Sequence, residues 1–185
     1  MAEGAVELAR AEPYVPAATY VNARSCARAF YDAVSPGFDG ENVQTDQTMT
    51  AKLSPQEALI YAMVTVAAAD RTITEHELAR INTLVKELPA FRGIEDAWLS
   101  REAQDCGKIL SKPDGVHKVV RLIVEALPGE LRETAFALAA EVAASDLAIQ
   151  DDERDFLTLL ATGLQIDGLV RAALERTAQA RHRPA

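Results

Sequence analysis

Carboxylates recur at one spacing in two short stretches of the chain. Asp70, Glu75 and Glu77 lie in the stretch 67–77; Asp146, Asp151 and Glu153, with Asp152 beside them, lie in the stretch 143–153. The offset between the sets is constant (146 − 70 = 76). Carboxylate oxygens are the donors that hard cations take, and several from one short loop can surround Ca²⁺ or hold Mg²⁺ partly through water. The EF-hand is the nearest comparison, and neither loop fits it. Counted from Asp70, the sixth position is Glu75, where a Gly is required, and the twelfth is Ile81; counted from Asp146, the twelfth is Leu157.

A second reading of the same acids needs no cation. Thr74 and Glu77 have the spacing of a capping box, and Glu75, Asp151, Asp152 and Glu153 fall in the first turn of a helix, where the helix dipole favours negative charge. Asp70 and Asp146 differ. Each stands near the C-terminal end of an apolar helix, where the dipole disfavours an acid. Either an Asp there holds a short turn through its own backbone, or it shares a cation with the following Glu.

The elements that position these acids repeat as well. Glu57, Ile60 and Val66 answer to Glu133, Phe136 and Val142, and Ile81, Leu84 and Leu88 to Leu157, Leu160 and Leu164. A fixed offset over so many positions marks an internal repeat. It predicts two copies of a helix–acidic turn–helix unit, related by a pseudo-twofold. Ser54-Pro55-Gln56-Glu57 is a strong helix start, and the run to Ala69 is apolar nearly all round, which predicts a buried helix. Asp96, Asp114 and Asp167 are expected to cap further helices, and Pro128 to open the second long one. No stretch alternates as a strand does. The expected class is all-α: a compact bundle of about seven helices over 53–185. An arm over 1–52 precedes it, in which Tyr20, Ala23, Ala27, Phe30, Tyr31 and Val34 share one face of an extra helix.

Composition narrows the function classes. The 185 residues are 49% hydrophobic and 25% charged, which is ordinary for one globular domain. A net charge of −9 repels phosphate backbones, so nucleic acid is not an expected partner. Cys26 and Cys106 form no CxxC, which argues against a disulfide framework and a cysteine zinc site. No leader pattern and no stretch long enough to span a bilayer is visible, so a cytoplasmic protein without membrane insertion is expected. No GxSxG, phosphate loop, GxGxxG or HExxH is present, and no nucleophile stands beside a base, so no enzyme is expected. His76, His117, His182 and Cys106 read as surface or packing residues.

Over about Leu53–Leu174 the chain resembles the TerB-like family. The resemblance rests on Ala67-Ala68-Ala69-Asp70, on Ile73 to Glu77, on Ala143-Ala144-Ser145-Asp146 with Ile149 to Glu153, and on Pro128-Gly129-Glu130-Leu131-Arg132. It implies a helical bundle with paired acidic turns, metal binding, and a part in bacterial stress responses such as tellurite resistance, together with protein partners. Where the family usually carries Gly after each Asp, this chain has Arg71 and Leu147. Gly takes a left-handed turn without steric cost, and Arg and Leu do not. Arg71 can also stand in the cation's place. The expectation is a non-enzymatic protein with a divalent cation (Ca²⁺ or Mg²⁺ before Zn²⁺, and no organic cofactor) on Asp70, Glu75, Glu77, Asp146, Asp151 and Glu153. The alternative is a metal-free adaptor whose acidic surface meets a basic protein.

Overall fold

The computed structural model describes residues 52–69, 75–145 and 149–184. The expected N-terminal helix and nearly all of the arm fall outside them. Within them the chain forms α-helices α1 (Pro55–Ala67), α2 (Glu75–Glu87), α3 (Asp96–Leu110), α4 (Gly115–Ala126), α5 (Gly129–Ala143), α6 (Asp151–Leu164) and α7 (Gly168–Arg181), with a 3₁₀ turn over Pro89–Phe91. There is no strand among the described residues. The class is all-α, as expected.

α1 starts as its sequence dictates. Ser54 Oγ accepts from the Glu57 N–H at 3.2 Å, and the Ser54 N–H donates back to the Glu57 carboxylate. Pro55 occupies the first turn, where its missing N–H costs nothing. Every residue from Ala58 to Ala67 is buried. α1 can therefore pack on all sides, and it touches α2, α3, α4, α5 and α6. Leu59, Ile60 and Met63 are fully enclosed; truncating any one of them to Ala costs about 2–5 kcal/mol. α5 is the second buried helix. It lies against α1, α2, α6 and α7, with Phe136 and Val142 wholly inside.

The connections are short and specified. Asp114 does not cap α4 as expected: it takes the left-handed conformation (φ 60°), makes no side-chain cap bond, and faces His117 Nδ1 at 2.9 Å instead. The tight turn pushes the Asp114 side chain outward, and a Cβ on Gly115 would lie 2.5 Å from the Ile109 carbonyl oxygen. Pro128 precedes α5 and Gly129 opens it. Gln165 ends α6 in the left-handed conformation (φ 57°), with the Ile166 N–H bonded to the Ala161 carbonyl at 3.0 Å. Asp167 caps α7, its Oδ1 accepting from the Leu169 N–H at 2.8 Å. Where α6 crosses α4, Gly163 lets them approach closely. A Cβ there would stand 2.9 Å from Val120 Cγ1 and 3.2 Å from Val124 Cγ2.

Candidate functional site: the acidic turns and their flanks

The two chain segments enter their turns alike. α1 ends at Ala67 and α5 at Ala143, and α2 begins at Glu75 and α6 at Asp151; both steps are 76 (143 − 67; 151 − 75). The Ala68 N–H bonds the Val64 carbonyl and the Ala144 N–H the Ala140 carbonyl, both at 3.0 Å. One residue on, the Ala69 N–H bonds the Val66 carbonyl at 3.1 Å and the Ser145 N–H that of Val142 at 3.0 Å. Each helix thus tightens in its last turn, leading the chain off at the same point.

Asp70, Arg71 and Thr74 of the first turn, and Asp146 and Leu147 of the second, lie outside the described residues. So does the side chain of Glu75, whose backbone opens α2. The third residue of each following helix is described. Glu77 is 3% exposed and Glu153 is 4% exposed. A carboxylate so enclosed must find donors or a cation, because burying an unpaired charge costs several kcal/mol. For Glu153 one donor is the Gln150 N–H, at 2.7 Å from Oε2, the return half of a capping box that the Gln side chain had concealed in the sequence. Asp151 goes the other way. Its side chain is 97% exposed and meets Arg154 Nη1 at 3.2 Å. Asp152 and His76 are exposed as well. Of the expected ligands whose side chains are described, Glu77 and Glu153 turn inward and Asp151 turns to solvent. Among the described residues no group of three or more His, Cys, Asp or Glu is gathered as a metal shell would require. Two inward carboxylates fit a cation's chemistry only together with donors from the turns themselves.

Glu141, on α5, was not foreseen from the sequence. It is 6% exposed, and two guanidinium groups and an imidazole surround it. Arg80 Nη2 of α2 donates to Oε1 at 2.5 Å, His182 Nε2 stands 3.0 Å from the same oxygen, and Arg181 Nη1 reaches Oε2 at 3.5 Å. The available signal was a single acid inside the apolar run of α5. His182, read as a tail residue, is its partner.

The same offset leads to the matching place in the first half. Glu141 answers to Thr65 (141 − 76) and His182 to Cys106 (182 − 76). Thr65 and Cys106 are both buried, with Oγ1 and Sγ 3.6 Å apart; the Thr65 hydroxyl also donates to the Tyr61 carbonyl at 2.6 Å. Burial pushes the Cys106 thiol up to about 12, with Asp105 and Glu102 adding and the Thr65 hydrogen bond opposing. Such a thiol is inert, which agrees with reading Cys106 as a packing residue. Burial likewise pushes the Tyr61 phenol well above its ordinary range, helped by Cys106, Glu102, Asp105 and Glu57. Glu102 on α3 is raised by its own partial burial, then by Glu57 and Asp105, against Arg101.

Among the described residues this is an all-helical domain with a buried acid at the third position of α2 and of α6. The family model described as tellurite resistance protein TerB matches residues 56–181, which is more than half of the chain. The chain belongs to the TerB family. No curated protein and no solved structure matches it. Among the described residues no helix is long and apolar enough to cross a membrane.

Proposed function

We propose that this protein is a non-enzymatic, cytoplasmic member of the TerB family that binds a divalent cation at its acidic turns and works in a stress response through protein partners. The observation that carries the reading is the pair Glu77 and Glu153. They are 76 residues apart, each is third in its helix, and both are withdrawn from water. First-turn acids such as Asp151 and Asp152 gain their dipole energy at the surface, and a cation would add to the donors that the buried Glu77 and Glu153 have, such as the Gln150 N–H on Glu153. Asp70 with Glu77, and Asp146 with Glu153, would hold the ion, with Glu75 and Asp151 in support. Oxygen donors of this kind suit Ca²⁺ or Mg²⁺ before Zn²⁺. A bound ion would supply charge compensation and tie the end of one helix to the start of the next.

Calorimetric titration of chelator-treated protein with Ca²⁺, Mg²⁺ and Zn²⁺ tests this, with Asp70→Asn and Asp146→Asn alongside. Saturable heat, a higher melting temperature with the ion, and loss of both in one or both variants are expected. The absence of heat and of any melting shift with all three ions would overturn the reading and leave the acids as helix caps. The acidic surface favours a second reading, a metal-free adaptor for a basic protein. Its partner binding would weaken with ionic strength and ignore chelator.

A further inference from the structure

We propose that α7 is a detachable strap, latched at its C-terminal end by the buried Glu141 carboxylate. The inference is independent of cation binding. Of the fourteen residues of α7 only Ala178 is buried, and Leu169 near its start is 83% exposed. So α7 seats itself on α5 through one buried residue and the half-buried Leu174, less apolar burial than the inner helices have, and apolar burial is what resists local opening. α3, whose Cys106 answers to His182, buries Ala103, Cys106, Ile109 and Leu110. Besides Ala178 and the half-buried Leu174, the ties along α7 are polar: the Asp167 cap, and Arg171 Nη2 to Thr158 Oγ1 at 2.9 Å.

The latch is built so that release is cheap. The charged groups facing Glu141 are Arg80 from α2 and Arg181 and His182 from the end of α7. Arg80 alone neutralises the carboxylate. When α7 lifts, Glu141 keeps that partner, so no buried charge is stranded. Arg181 is 59% exposed at its side chain even when docked and returns to water with little change. Two guanidinium groups share one carboxylate, and the one from the strap, Arg181, is the farther from it. The Thr65–Cys106 contact between α1 and α3 is neutral and offers no such release. The distinct property of the ionic contact is reversibility.

Hydrogen exchange followed by mass spectrometry on the full chain tests the proposal. In the unaltered protein, amides of 171–181 are expected to exchange faster than those of α5 and α6, as one unit. The double variant Arg181→Ala/His182→Ala is expected to speed exchange in α7 by roughly tenfold and leave α1, α5 and α6 unchanged, as the loss of charge-assisted bonds predicts. Arg80→Met leaves the carboxylate to Arg181 and His182 alone, so that lifting α7 would strand it, and is expected to slow exchange in α7 relative to the other helices. Exchange of α7 in step with α5 in the unaltered protein would overturn the proposal. So would a double variant that leaves α7 unchanged or loosens every helix equally.

Discussion

Thr65 with Cys106, and Glu141 with His182, are two contacts offset by 76 in the sequence, and each pair is 41 residues apart; Cys106 lies within α3, whereas His182 follows the end of α7. In the first half a hydroxyl and a thiol meet in a dry joint between α1 and α3. In the second, a carboxylate meets cations from α2 and α7. The position opposite Glu141 on α2 is Arg80, and its counterpart (80 + 76) is Phe156, which is buried. One contact is neutral and the other ionic. What polarity changes is the consequence of removing a partner. A neutral joint tolerates loss, whereas an ionic one leaves a charge behind.

The sharpest way to break the comparison is Glu141→Leu. It leaves Arg80, whose side chain is 16% exposed, without its anion. A loss of about 3–5 kcal/mol in urea or thermal unfolding is expected. If the protein kept its full stability, the ionic joint would be no different in kind from the neutral one. The matching change Thr65→Val should cost less than about 1 kcal/mol. It deletes a hydroxyl without stranding its acceptor, since the Tyr61 carbonyl still faces the helix N–H donors.

The smallest effect concerns Glu102, beside the neutral joint. Its carboxyl is raised, so the folded state holds its proton more tightly than the unfolded chain. Stability from this group is present at acid pH and is lost as pH rises from the ordinary carboxyl value, near 4.3, through the raised one. Glu102→Gln should therefore raise the melting temperature modestly at neutral pH and do nothing below about pH 4. A gain that persisted in acid would assign the effect to packing rather than charge.

Much of this architecture was readable in the residues. Ser54, Pro55 and Glu57 announce α1, Asp167 announces α7, and the unbroken apolar run predicts that α1 is central; local chemistry decides all three. The joints were not readable. Glu141 sits in an Ala-rich run where one acid looks like a solvent position, and only tertiary packing brings Arg80, 61 residues away, onto it. Asp114 shows the opposite failure. It has the residue type of a cap, but the left-handed backbone before Gly115 turns it toward His117. Of the expected ligands, burial separates Glu77 and Glu153 from Asp151, a distinction that first-turn position alone does not carry.

Gly163 makes α6 a lever. Its missing methyl sets how near α6 comes to Val120 and Val124, and Val120 is buried, so a larger side chain there must push those valines or part the two helices. At the far end of the same rigid rod, ten residues and roughly 15 Å away, sits Glu153. A single missing methyl thus sets the spacing of the helix whose first turn carries the second buried acid.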